Sequence, residues 1–217
     1  MNNWVVWLTL AGLGAFHGLN PAMGWLFATS RGFQERSRSE VVRSLGPIAA
    51  GHALSVAMVV AVFGVARVAV PPDGLRYTCA IILIAFGLFK LVKPLSHPRW
   101  VGMRVGYGQL CLWSFLMASA HGAGLMLVPA LGRLPIGSEL ASDAHVLMGA
   151  SLLDSAPLAS LAVGLHTVTM LAVMGVIAVV VYERIGLAFL RKSWFNVDLL
   201  WAGSLMLAGG YVALLGL

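Results

Sequence analysis

Apolar residues run through this chain in long, nearly unbroken blocks. They do not alternate as in strands or form the one-sided stripe of a soluble helix. Six blocks stand out, at roughly 4–29, 45–70, 77–93, 108–131, 157–182 and 196–216. A helix needs about 20 apolar residues to cross a bilayer. The pattern therefore predicts an all-α integral membrane protein of six transmembrane helices, with residues 1–217 as a single membrane domain. The first block has no basic residues ahead of it and no small-residue cleavage site, so it reads as a span and not as a signal peptide.

The polar breaks between blocks set an orientation. Arg31, Arg36, Arg38 and Arg43 follow the first block. Lys93, Arg99 and Arg104 follow the third, with Lys90 at its end, and Arg184, Arg191 and Lys192 follow the fifth. The other two connections are poor in basic residues, with Arg76 in one and Arg133 in the other. The positive-inside rule puts the three basic loops in the cytoplasm and both termini outside (N-out/C-out), most simply in a bacterial cytoplasmic (inner) membrane. Trp4, Trp7, Trp100, Trp113, Trp194 and Trp201 fall near block ends, where interfacial anchors belong. The external loop 132–156 contains Val146, Leu147, Met148, Leu152 and Leu153, which suggest a short helix on the membrane surface. Its Asp143 and His145 read as solvated loop residues, with a metal-collecting role as the alternative.

Composition agrees. Hydrophobic residues make up 59% and charged residues only 10%, against about a quarter charged in soluble domains. The formal charge of +6 sits in short loops, without the basic face and aromatics of a nucleic-acid binder. The expected partners are the lipid bilayer and a metal ion or small solute, with no nucleic acid, and a homo-oligomer or a membrane-complex partner is compatible. Cys79 and Cys111 fall near opposite membrane faces, so no disulfide is expected.

The two halves resemble each other. Block one contains Gly14-Ala15-Phe16-His17-Gly18 and block four Ala118-Ser119-Ala120-His121-Gly122. Block two has His52 with Ser55 three residues on, and block five has His166 with Thr169 three residues on. Blocks three and six carry Gly87 and Gly209-Gly210. Repeat one spans about 4–93 and repeat two about 108–216. Their first helices cross in opposite directions, which gives two inverted three-helix repeats. Inverted repeats with interrupted helices are a transporter design.

Ionisable residues inside a bilayer mark pathways. Here they are His17, His52, His121 and His166, with no carboxylate deeper than Asp198 at a span entrance. Hard cations want carboxylate oxygens, whereas imidazole suits nickel, cobalt, copper and zinc. At about 1.5 Å of rise per residue, His17 lies roughly 20 Å from the outer end of its span and His52 roughly 10 Å from the inner end of its own. In a core of about 30 Å these depths coincide. The same sum levels His121 with His166. Each half is thus expected to carry its own histidine pair. Pro21, in His17-Gly18-Leu19-Asn20-Pro21, interrupts the first span and frees a carbonyl near residue 17. Gly18 and Gly122 are the matching break positions. Asn20 offers a further oxygen or nitrogen, and Met23 a thioether suited to copper(I). Met58, Met117, Met170 and Met174 read as core filler. Ser55 and Thr169 are secondary candidates.

The run His17-Gly18-Leu19-Asn20-Pro21-Ala22-Met23, followed by a basic loop and Gly51-His52-Ala53-Leu54-Ser55-Val56, resembles the nickel/cobalt efflux (NicO) family within the LysE-like transporter superfamily. The likeness is clearest over residues 10–66. It implies a secondary transporter, in the efflux direction by family habit, with His17 and His52 as ligands or proton carriers. The family's second histidine is Met23 here, its glycine is Ala22, and residues 30–45 contain no histidine. These departures open the way to a softer ion or a non-metal cargo. The alternatives are a LysE-like exporter of a small organic or sulfur-containing anion, and a non-transporting membrane subunit or assembly factor of a metalloenzyme. No Gly-x-Ser-x-Gly, His-Glu-x-x-His or deep carboxylate pair points to an intramembrane enzyme.

Overall fold

The structure is a computed structural model that describes residues 3–92, 105–133, 147–186 and 197–216. Every element among the described residues is helical. Helix α1 (Asn3–Leu19) ends at a 3-10 turn, Pro21–Met23, and α2 (Trp25–Gln34) follows. Then come α3 (Arg38–Ala69), α4 (Pro72–Val92), α5 (Tyr107–His121), α6 (Ala123–Leu131), α7 (Leu147–Val180) with a π turn at Val181–Ile185, and α8 (Val197–Leu215). Three helices are long and apolar enough to cross a membrane, at Arg38–Arg67, Pro72–Val92 and Ala156–Ile185. The α5–α6 pair makes a fourth span if its 58° bend is allowed, and α1 and α8 are shorter apolar helices. The protein is therefore an integral membrane protein by the length and composition of its helices. Its outward side chains agree: Leu54, Val176 and Leu214 are 61%, 65% and 80% exposed, which costs free energy in water and nothing in lipid.

Both helix breaks, α1–α2 and α5–α6, fall where the sequence supplies the chemistry for them. Asn20 is extended and its Oδ1 accepts from the Ala22 N–H, while Pro21 occupies the first position of the 3-10 turn. Gly24 then takes φ 134°, which an L side chain rarely adopts. In the second break Gly122 takes the left-handed conformation, φ 68°, as the cap of α5 and the start of α6. The carbonyl expected to be freed near residue 17 is not left open: His17 O accepts from the Asn20 N–H at 3.1 Å. A tight turn has replaced the lost helical bond.

Other expectations shift. The basic segment after the first block is mostly helix, with Arg31 in α2 and Arg38 and Arg43 in α3. The expected surface helix in 132–156 is, from Leu147 onward, continuous with α7 through Pro157. Trp201 is no interfacial anchor, being fully buried, and Trp113 is 8% exposed with its Nε1–H donating to Ala22 O. The expected features at Lys93, Arg99, Trp100, Arg104, Asp143, His145, Arg191, Lys192 and Trp194, and the side chain of Asp198, lie outside the described residues.

Packing pairs helices from the two halves of the chain. α1 lies against α7, α3 against α5, and α4 against α8. The first contact is set by Gly14 and Gly18, one helical turn apart. A Cβ at Gly14 would collide with the His166 carbonyl, and one at Gly18 with the Met170 carbonyl. This is the small-xxx-small seam by which membrane helices approach closely. Gly51 plays the same part between α3 and α5, against the Cys111 carbonyl. One apolar cluster gathers Leu10, Val56, Leu127 and Val163, and a second gathers Met23, Ile48, Met117 and Met170. A third, around Leu83, Trp201 and Leu205, joins α4 to α8.

Candidate functional site

On α1, α3 and α7 a histidine stands where the first apolar cluster gives way to the second. His17 separates Leu10 from Met23, His52 separates Val56 from Ile48, and His166 separates Val163 from Met170. All three are fully buried. Their ring centroids are 5.5 Å (His17–His52), 4.8 Å (His17–His166) and 5.5 Å (His52–His166) apart. His17 lies edge-on to the other two, and those two are nearly parallel.

The hydrogen bonds fix which nitrogens are lone pairs. A carbonyl can only accept, so His17 Nδ1–H donates to Leu13 O at 2.7 Å and His166 Nδ1–H to Leu10 O at 3.3 Å. In the neutral rings both Nε2 atoms then carry lone pairs. His52 Nε2 lies 3.3 Å from His166 Nε2. With His166 accepting, His52 donates through Nε2–H, and its Nδ1 is left as a lone pair. Among the described residues, His17 Nε2, His52 Nδ1 and Asn20 Nδ2 are buried without a hydrogen-bond partner. Unpartnered polar atoms in a protein interior are costly, and in an apolar layer they mark where a ligand or proton can bind.

Tethering one ring nitrogen to a backbone carbonyl is how proteins orient imidazole ligands. Two imidazole nitrogens bound at about 2.1 Å to one tetrahedral ion stand about 3.4 Å apart. The His52–His166 separation matches that spacing. The full set is not assembled: among the described residues no group of three His, Cys, Asp or Glu side chains is arranged to hold a metal ion.

The expected pairs are thus brought together in part. His17 and His52 meet, whereas His166 joins them and is not paired with His121 alone. Trp201 of α8 touches both His17 and His121. Its ring centroid is 4.4 Å from that of His17 and 5.8 Å from that of His121, and it stacks on Phe16 at 5.0 Å. Its Nε1–H donates to the His121 carbonyl at the second break. His121 Nδ1–H donates to Met117 O at 2.9 Å, one turn back, as His17 does to Leu13.

The remaining candidates divide. Asn20 shapes the first break, and Pro21, Gly18 and Gly122 position the backbone. Met23 is buried in the second cluster. Ser55 bonds Ser119 at 2.9 Å across α3 and α5, and Thr169 Oγ1 donates to Leu165 O on its own helix. Neither joins the trio. Sequence reasoning misses Trp201, because nothing in its local pattern distinguishes a tryptophan near a helix end from an anchor.

At the basic end, Glu40 of α3 ties three elements. It pairs with Arg31 of α2 and with Arg43 at 3.2 Å each, and accepts from Tyr107 of α5 at 2.6 Å. Arg31 also donates to Val105 O at 2.9 Å.

No family model, curated protein or solved structure matches the chain.

Proposed function

We propose that this protein is a secondary transporter that moves a transition-metal ion across the membrane, with His17, His52 and His166 as the central ligands or proton carriers. The observation that carries this reading is the trio itself: imidazoles from α1, α3 and α7 gathered within 5.5 Å, with no carboxylate among them. Carbonyl tethers on His17 and His166 hold their Nε2 lone pairs ready, and the His52–His166 spacing suits two ligands of one ion. Loading requires His52 to move its proton from Nε2 to Nδ1, the atom that is now unpartnered. Histidines that release an ion and take up protons would couple transport to the proton gradient.

Efflux and the nickel/cobalt affinity follow from the NicO resemblance. The inverted repeat with both termini outside is part of the same proposal. It is supported by the exchange of partners between halves, since each broken first helix packs on the second helix of the other half, α1 on α7 and α5 on α3. The basic loops, in turn, support the cytoplasmic side.

Metal binding by the purified protein tests this. Equilibrium dialysis against nickel, cobalt, copper and zinc should show about one ion per chain in wild type and a loss of at least tenfold in affinity in His17→Ala and His52→Ala. Uptake of none of these ions would leave the histidines as proton sites of a small-anion exporter. Equal binding by both variants would move the site elsewhere.

A further inference from the structure

The second apolar cluster has an unusual composition. Four of its fourteen buried residues are methionines, Met23, Met117, Met170 and Met174, in a chain with ten methionines among 217 residues. All four are at most 1% exposed, whereas Met58, which lies outside the cluster, is 49% exposed. Methionine is a common core filler, and filler would be expected in every cluster. Yet among the described residues the buried members of the first cluster include no methionine, and those of the third include Met126 alone. The thioethers concentrate on one side of the histidine trio.

The four come from three parts of the chain that meet near the trio. Met170 and Met174 follow His166 on α7 at intervals of four residues, so the three side chains share one helix face, with neighbouring Cβ atoms about 5–6 Å apart. Gly18, one residue after His17, packs directly on the Met170 carbonyl and the Met174 amide. Met23 closes the 3-10 turn of the first break. Met117 supplies the carbonyl that orients His121. The four thioethers thus belong to one buried cluster that adjoins the imidazoles through α1 and α7.

Thioethers are soft, neutral ligands that select copper(I) among biological metals and contribute little to nickel(II) or cobalt(II). Two neutral imidazoles with neutral thioethers leave a bound monovalent ion with one net charge, and a divalent ion with two, and among the described residues no carboxylate is buried to offset it. Charge inside a membrane is costly, so the donor set favours the lower charge. We infer that the cargo is a soft monovalent ion, copper(I) or its analogue silver(I), held by His52 and His166 and passed along Met170, Met174, Met23 and Met117. This rests on the transporter reading above and narrows its cargo. It also gives a reason for methionine at position 23, where the NicO pattern has histidine.

The test uses the full chain in detergent or lipid nanodiscs, in a Cys79→Ser, Cys111→Ser background so that thiols cannot capture the ion. Copper(I) under ascorbate, competed with bathocuproine disulfonate, is compared with nickel(II). Copper(I) should bind at least a hundredfold tighter. Replacing Met23, Met170 and Met174 together by leucine, which conserves volume, should weaken copper(I) at least tenfold and leave nickel(II) unchanged, while Met58→Leu changes neither. X-ray absorption of the copper-loaded protein with all its methionines in place should show sulfur as well as nitrogen neighbours, a readout that does not depend on how the variants fold. Nitrogen-only coordination, or unaltered copper(I) affinity in the triple variant, would overturn the inference. Tight nickel, cobalt or zinc binding through histidine alone would overturn it and leave the transporter reading standing. Absence of any metal would remove both.

Discussion

At the residue scale, the histidines are legible in the sequence and their grouping is not. Four ionisable side chains in apolar blocks stand out, and counting helix rise levels His17 with His52. Rise gives depth alone. It says nothing of which helix is the neighbour, and that choice puts His166 beside His17 and His52. The deciding residues are Gly14 and Gly18, visible as a repeat marker but acting as the seam of α1 on α7. Gly14→Ala should therefore destabilise the protein by about 1–3 kcal/mol, the usual range for overpacking. At Gly12, on the same helix, an added methyl group would meet nothing within 4 Å, and alanine there should shift stability by less than about 1 kcal/mol. Thermal unfolding in detergent separates the two; equal effects would mean the seam is not where α1 meets α7.

At the element scale, the breaks are half readable. Pro21 marks the first, because proline cannot donate to the preceding turn. The second has no proline at the break and depends on Gly122 reaching the left-handed region. The basic segment misleads for a different reason. Its charges suggest a loop, but Glu40 gathers Arg31, Arg43 and Tyr107 into a knot that lets α2 and α3 continue as helix. Glu40→Ala and Tyr107→Phe should each lower the melting temperature, Glu40→Ala the more because it frees both arginines as well as the hydroxyl. The double variant should fall by less than the sum of the two, since both changes delete the same Tyr107–Glu40 hydrogen bond. Strictly additive melting shifts would show that Glu40 does not tie α5 to α3.

At the scale of the whole molecule, apolar block length is enough to give an all-helical membrane protein. It does not show that partners are exchanged between halves, α1 with α7, α3 with α5 and α4 with α8. Such pairing depends on side-chain relief distributed along whole helices. It is also what makes one central trio from two halves, with His121 reaching Trp201 beside it. The most direct measurement is ion flux in proteoliposomes with an entrapped metal-sensitive dye, comparing wild type with His166→Ala and His121→Ala. His166→Ala should lose at least nine-tenths of the flux, with His121→Ala retaining most of it. Full flux in His166→Ala, together with loss in His121→Ala, would contradict a site built from His17, His52 and His166.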